Sequence, residues 1–413
     1  MSNNIKNNNK VRFMKQLLLI SFMILTVNIL AAQDARDYLL KARALMERGH
    51  TEESADLLSK AVSTINDSRL YVLRGDVHSD MGKYSEAISD YKSANEISQG
   101  SGEYGLARIY ALKGDANTSL SHLEKNIGSS FKKLEKEIML DPAFAAIENT
   151  PEWRLFWKKE RYNIFERRLP ELEYYISTGN KVEAKNISDE LERDYPGDNS
   201  SRYSRALVDF LLQKYSDAIA ILTSITSEDP KNEDYLRLMA RIKMASGNAA
   251  GASDAYTSLI NLGVADANLY VQRAKSYRKT GELDKALKDL SKYLELYPEN
   301  KEALGLTGRI ESESGDNLKA LDYFNRNLKL HPNDAECYID RANTYFNSRS
   351  WNYAISDYSM SLDLQPANAD VWMNKGIALL NSGKTEDACH DFREALSLGN
   401  KKAAAYISRN CIK

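Results

Sequence analysis

The sequence predicts an all-α fold, a solenoid of stacked two-helix hairpins 34 residues long. Three periodic features point to it. Pro196, Pro230, Pro298, Pro332 and Pro366 are spaced by 34 residues or a multiple of 34. Small residues recur with the same period at Ala206, Ala240, Ala274, Gly308, Ala342 and Gly376. A second small series sits twelve residues further on, at Ala218, Ala252, Ala286, Ala320, Ala354 and Ala388, and Ala184 begins it one period earlier. Seven units therefore run in unbroken register over residues 165–402.

The composition agrees with a folded chain and narrows its chemistry. Of 413 residues, 43% are hydrophobic and 28% charged, which excludes disorder throughout. A formal net charge of -2 excludes a globally basic nucleic-acid binder. Three cysteines are too few for a disulfide scaffold and do not suggest a zinc module.

Residues 1–33 read as a secretory signal peptide. Lys6, Lys10, Arg12 and Lys15 precede an apolar run from Leu17 to Ala32, and Ala31-Ala32-Gln33 supplies the small residues at its exit. The 16-residue run is shorter than the roughly 20 residues of a spanning helix. Met14 is an alternative start. Removal of the segment leaves 52 basic against 58 acidic residues, and no cysteine ends the run to receive a lipid. The expected product is exported, periplasmic or secreted, without an integral span.

Residues 34–127 hold about three further units. Ala42, Gly49 and Ala61 mark the first, Tyr71, Gly75, Gly82, Ala87 and Ala94 the second, and Ala107, Tyr110, Gly114 and Leu123 the weaker third. Residues 128–164 break the pattern and are rich in aromatics (Phe131, Phe144, Trp153, Phe156 and Trp157), with helix starts expected at Asp141-Pro142 and Thr150-Pro151. This connector is expected to separate the two blocks of repeats. Pro170 falls in the first helix of the first in-register unit, which should kink or start late. Residues 403–413 read as a cap helix, which an open stack needs on its last face.

Within a unit, helix A carries apolar or aromatic residues at positions 4, 8 and 11, as in Tyr270, Ala274 and Tyr277. A turn follows, with Gly179, Gly247, Gly281, Gly315 or Gly383. Helix B carries its small residue at position 20 and a bulky one at 24, and proline at 32 stops it. The small pair at 8 and 20 lets two antiparallel helices cross closely. Arg74/Asp90, Arg273/Asp289, Arg341/Asp357 and Lys375/Asp391 lie sixteen apart on the facing helices and are expected to form ion pairs within a hairpin.

No chemistry of catalysis stands out. Gly383-Lys384-Thr385 lacks the first glycine of a phosphate-binding loop, since Ala378 stands there, and a helix rather than a strand precedes it. The five histidines fall in different units without metal-ligand spacing. Neither an enzyme nor a bound metal or cofactor is expected. Cys389, in the last helix B, and Cys411, in the cap, are placed to bridge; two independent thiols are the alternative, and Cys337 has no evident partner.

The repeat resembles the tetratricopeptide repeat, and the resemblance covers nearly the whole chain after residue 33, about ten units. It implies a right-handed α-solenoid whose concave face is lined by helix A through positions 5, 9, 12 and 13. In the units starting at 233, 267 and 301 those positions hold Arg237, Arg241, Lys275, Arg278, Lys279 and Arg309, with Glu313 the acidic exception. In the last two units they hold Ile339, Phe346, Met373, Ile377 and Leu380. A basic stripe running into an apolar patch suits an acidic, partly apolar peptide or protein segment; a solvated charged face is the plainer reading. The carboxylate clamp of some family members is not matched, because Glu302 has the wrong sign and Leu306 offers no donor.

The expected function is that of an exported, non-enzymatic adaptor holding a peptide or protein partner in this groove. A scaffold component of an envelope secretion or assembly machine, and a glycan-binding protein on a helical-repeat frame, are the alternatives.

Overall fold

The computed structural model describes residues 35–411. The signal-like segment 1–33 lies outside the described residues. The described residues form helices and turns only, and they divide into two compact units, one ending at Ala267 and one beginning at Asn268. The division falls inside the seven-unit register, between its third and fourth repeats, and not at the aromatic connector.

In the first unit the hairpins are α1 (35–47) with α2 (Thr51–Val62), α3 (Ser68–Asp80) with α4 (Tyr84–Ile97), and α5 (Glu103–Leu112) with α6 (Ala116–Ile127). The connector follows as α7 (Glu135–Met139), a 3-10 turn (Pro142–Phe144) and α8 (Pro151–Phe156). Three more hairpins pair α9 (Ile164–Ser177) with α10 (Lys181–Asp194), α11 (Asn199–Leu211) with α12 (Tyr215–Glu228), and α13 (Glu233–Ala245) with α14 (Ala249–Asn261). The second unit pairs α15 (Asn268–Thr280) with α16 (Leu283–Leu296), α17 (Lys301–Ser314) with α18 (Asn317–Leu330), α19 (Ala335–Asn347) with α20 (Trp351–Leu364), and α21 (Ala369–Asn381) with α22 (Thr385–Ser397). The cap α23 (Ala403–Asn410) closes it.

The small-residue series lie at the helix crossings, except in α9–α10, where Leu172 stands at position 8 and Ser188 at position 24. Ala206, Ala240, Ala274 and Ala342 at position 8 are fully buried, as are the alanines at position 20 from Ala184 to Ala388. Where glycine replaces alanine at position 8, an aromatic ring occupies the space: a Cβ on Gly308 would stand 2.5 Å from the Phe324 ring, and one on Gly376 2.6 Å from that of Phe392. At these two crossings position 24 is thus the knob and position 8 the hole, whereas Tyr358 packs in the cluster of Ala342 without needing a glycine. The prolines do what their spacing implies, since α10, α12, α16, α18 and α20 each end two residues before one.

The inter-helix turn imposes a left-handed residue at position 15. Gly179, Gly247, Gly281, Gly315 and Gly383 adopt φ between +72° and +92° there. In the two units without glycine, Gln213 and Arg349 adopt the same conformation at φ 60° and 59°, which L side chains tolerate poorly.

The ion pairs sixteen apart form within their hairpins. Arg273 donates two hydrogen bonds of 2.7 Å to Asp289, Arg341 two of 2.7 Å to Asp357, and Arg74 reaches Asp90, which also binds His78 at 2.8 Å. Lys375 lies 3.3 Å from Asp391. All four aspartates are buried, so each basic partner compensates a desolvated carboxylate.

The connector covers the open side of the third hairpin. Phe144, Trp153 and Phe156 pack with Ala107, Ala111, Leu120 and Leu123 of α5 and α6. Asp141 and Thr150 cap their turns, accepting from Ala143 and Trp153 backbone N–H groups. The helix expected to kink or start late does not start late: α9 begins at Ile164 on an Asn163–Glu166 capping box and runs through Pro170.

Three arginines of α1 and α3 grip the last turn of α14 and the chain that follows it within the first unit. Arg36 donates to the Ile260 carbonyl at 2.7 Å, Arg43 to Ala265 at 2.6 Å and Arg69 to Gly263 at 2.8 Å. They satisfy carbonyls at and beyond a helix C-terminus, the end that attracts cations.

In the second unit Cys389 and Cys411 are joined by a disulfide, with Cα atoms 5.6 Å apart, so the cap is stapled to the last hairpin as the sequence suggested. Cys337 is buried, and burial pushes its thiol up to about 12.

Two outcomes are expected. Gly308→Ala should cost about 1–3 kcal/mol through overpacking against Phe324, and Phe324→Leu in the same chain should recover part of it; denaturant melts of the three variants check this. Thiol titration of the oxidised protein should find no reactive group under native conditions and one after unfolding, Cys337.

Candidate functional site

The faces that could meet a partner are set by what the hairpin core leaves over. Positions 8, 20 and 24 are consumed by the helix crossing, which leaves positions 5, 9, 12 and 13 of helix A on the neighbouring face. Of the basic residues expected there, Arg237 and Arg241 lie on α13 in the first unit. Lys275, Arg278, Lys279 and Arg309 lie on α15 and α17 in the second.

The basic stripe is largely neutralised by the protein itself. Arg237 donates to Asp266 at 2.7 Å. In the second unit three of the four basic side chains reach an acid of the following repeat: Lys275 lies 2.5 Å from Glu302, Arg278 donates to Glu313 at 3.0 Å, and Arg309 donates to Asp340 at 2.7 Å. Burial raises the Asp340 carboxyl above its usual range despite Arg309 beside it. The expected basic stripe is therefore in large part not free to meet a partner: Arg237, Lys275, Arg278 and Arg309 are held by acids of the chain itself, and the last three form seams between repeats. Arg241 and Lys279 differ. Both are exposed, and no described carboxylate stands within ion-pair distance of either; Arg241 lies 5.3 Å over the Phe210 ring.

The apolar patch is also partly spent on packing. Met373 is buried in the core beneath the cap, with Ile377 and Leu380 packed partly buried against the same cluster. Ile339 and Phe346 pack on the neighbouring cluster around Ala342 and Tyr358, and Phe346 meets Trp351 edge-on at 5.1 Å. Phe346, Ile377 and Leu380 keep part of their surface in solvent.

A site that the sequence reading passed over lies in the first unit. A cleft of about 510 Å³ is walled on one side by α1, α3 and α5 and on the other by the connector. Counting back from the turn glycines Gly49, Gly82 and Gly114, the residues Arg43, Asp76 and Arg108 all occupy position 9 of their repeats, so the rule applied to the later repeats would have found them. Five cations line the cleft (Arg43, Arg69, Arg108, Lys132 and Lys133) against three carboxylates (Asp76, Glu137 and Asp141).

Much of that charge is internally tied. Arg108 lies 2.8 Å from Asp141 and 3.9 Å from Asp76. Tyr104 and Tyr91 donate to Asp141 and Asp76 at 2.7 and 2.8 Å, and burial pushes both phenols and the Asp76 carboxyl upward. Lys133 pairs with Glu137 at 2.9 Å, Lys132 with Glu166 at 2.8 Å, and Arg69 with Asp67 at 2.7 Å. Arg43 is exposed and donates to a carbonyl only, with no described carboxylate within ion-pair distance, although its charge acts on Asp76. Val72, Leu73 and Phe131 supply the apolar lining. Among the described residues no group of three or more His, Cys, Asp or Glu is arranged to hold a metal ion, and no helix is long and apolar enough to cross a membrane.

One tetratricopeptide-repeat family model matches residues 68–100, and another matches 271–335 and 339–405. The chain carries tetratricopeptide repeats. Solved structures with a similar arrangement include the APC/C hetero-tetramer Cut9–Hcn1, at 16% identity and TM-score 0.48, covering 90% of this chain and 83% of that one. A tetratricopeptide-repeat protein from Parabacteroides merdae is 21% identical with TM-score 0.47, covering 59% of this chain and 96% of that one. YrrB, a TPR protein with an unusual peptide-binding site, is 19% identical with TM-score 0.37, covering 46% and 97%. A comparison with curated proteins finds no match. Over the matched residues the chain carries a repeat of the kind that mediates protein–protein interaction.

The seam assignment is checked by two single variants. Arg309→Glu sets a second carboxylate beside half-buried Asp340 and should lower stability by about 1–2 kcal/mol. Lys279→Glu should leave the melt unchanged. Equal melts for the two would return Arg309 to a solvated face.

Proposed function

We propose that the chain is an exported, non-enzymatic adaptor that holds a segment of a partner protein against its helix-A faces. The observation that carries this reading is the division of labour within each repeat. The crossing residues fill the core, and the adjoining positions present cations without a carboxylate in ion-pair distance (Arg43 and Arg241 in the first unit, Lys279 in the second) and, within the second unit, partly exposed apolar side chains such as Phe346 and Ile377. Such a face gains by meeting a segment that brings both carboxylates and apolar groups. Export rests on the basic and apolar segment before residue 34 and on the placement of Cys389 and Cys411, a pairing that persists in oxidising compartments.

Photo-crosslinkers placed at Arg241, at Lys279 and, as a control, at the exposed helix-B residue Leu318 test the reading in the native envelope. Discrete products are expected from the first two positions and none from Leu318, with yield falling as salt rises. The exported chain should begin near Gln33 or Asp34. Products from Leu318 alone would move the contact to the outer helices and overturn the groove reading.

A further inference from the structure

We infer that the cleft between the first three helix-A elements and the connector is a binding site for an acidic peptide segment, separate from the faces of the later repeats. The inference rests on the reading of the chain as a protein-binding adaptor and assigns one such contact to a built pocket. The cleft's volume of about 510 Å³ is that of a pocket taking a few residues, not a flat docking face.

The occupant's chemistry follows from what the cleft lacks. Four of its five cations have a carboxylate of the chain within ion-pair distance, Asp67 and Glu166 outside the lining included, and Arg43 has none. Arg108 cannot serve as the free cation, because Asp76 and Asp141 flank it and two tyrosines hold those carboxylates. Arg43 can. Its guanidinium has one hydrogen bond, to the Ala265 carbonyl, which carries no formal charge, and its remaining N–H groups are available to a carboxylate as charge-assisted bonds. Asp76 faces the same space from the next repeat. One of its oxygens accepts from Tyr91, and the carboxylate keeps acceptor capacity for a main-chain N–H. Phe131 stands at the connector wall, 38% exposed, opposite Val72, and offers a ring for an apolar side chain. A guest with a carboxylate, a peptide N–H and an apolar side chain within a few residues satisfies all three. A simple inorganic anion satisfies only the first.

The site is also held in place. Arg43 and Arg69, both in the lining, are two of the three arginines fixed to the carbonyls after α14. The connector wall is pinned by the Tyr162 hydroxyl, which donates to the Lys133 carbonyl at 2.8 Å, and by Lys132 bonded to Glu166. Preorganisation of this kind lowers the ordering cost of taking up a flexible segment.

The test uses residues 34–413 and two fluorescein-labelled hexapeptide pools. One is rich in Asp, Glu, Leu and Phe; the other has Asn and Gln in place of the acids. Fluorescence anisotropy should show the acidic pool binding at least tenfold more tightly. Arg43→Glu should weaken it at least tenfold, and Ser130→Trp, which fills the cleft from its exposed rim without touching a charge, should do the same with an unchanged melt. Lys279→Glu should leave this binding intact. Acidic-pool binding that survives both Arg43→Glu and Ser130→Trp but falls with Arg241→Glu or Lys279→Glu would overturn the cleft and keep the adaptor reading. Equal affinity for both pools, or displacement of the acidic pool by millimolar inorganic phosphate alone, would overturn the assignment of the ligand.

Discussion

The close crossing of the two helices in each hairpin is the constraint from which the rest follows. At positions 8 and 20 the backbones approach so nearly that Ala, Gly or Ser stands at nearly every one, and a bulky residue at position 24 then fills what the small residue leaves; in α9–α10 the sizes are exchanged, with Leu172 at position 8 and Ser188 at 24. The crossing fixes the rotation of helix A, and that rotation decides which positions are core and which are surface. Position 5 is buried in several units, as at Val271 and Met373, whereas position 9 stays at or near the surface in most. The site is therefore a by-product of packing: the repeat does not need those side chains to fold, which leaves them free to vary in charge and size from one unit to the next.

Interactions with a fixed spacing were legible in the sequence, and those without one were not. The pairs sixteen apart, Arg273 with Asp289 and Arg341 with Asp357, could be read directly because both ends lie in one hairpin of constant geometry. The seams have no such spacing. Lys275 meets Glu302, Arg278 meets Glu313 and Arg309 meets Asp340, each by a different offset, because long side chains choose among acids at several positions of the following repeat. A count of basic residues along one face therefore saw a stripe where the structure has a neutralised seam. Arg43, Asp76 and Arg108 escaped notice for a related reason. The repeats they belong to are a residue or two shorter than 34, so a register extended back from the later units misplaces them.

The connector shows how one segment serves stability and site formation together. Its aromatics give the third hairpin the neighbour that a missing fourth would have supplied, and burial of Phe144, Trp153 and Phe156 offsets the cost of interrupting the stack. The same segment brings Lys132 and Lys133 across from α5. Those lysines turn an open helical face into a two-walled cleft. Aromatic composition alone showed that something was buried there, but not that the polar residues between the aromatics would face the preceding repeats.

Self-neutralisation has a consequence for selectivity. A partner carboxylate approaching Arg278 or Arg309 must displace an acid already held at effectively unlimited local concentration by the chain itself, so those positions resist acidic ligands however basic they look in the sequence. Cations that lack such a rival are the ones open to exchange with solvent and hence with a partner. They occur where the pattern of seams is interrupted. Arg43 sits in the opening repeat, Arg241 in the last helix A of the first unit, and Lys279 at the end of α15, one residue beyond the arginine that claims Glu313. In a stack of this kind the cations left open to a partner stand at the irregularities of the repeat, because many of the regular positions have already found an acid in the next copy of the motif.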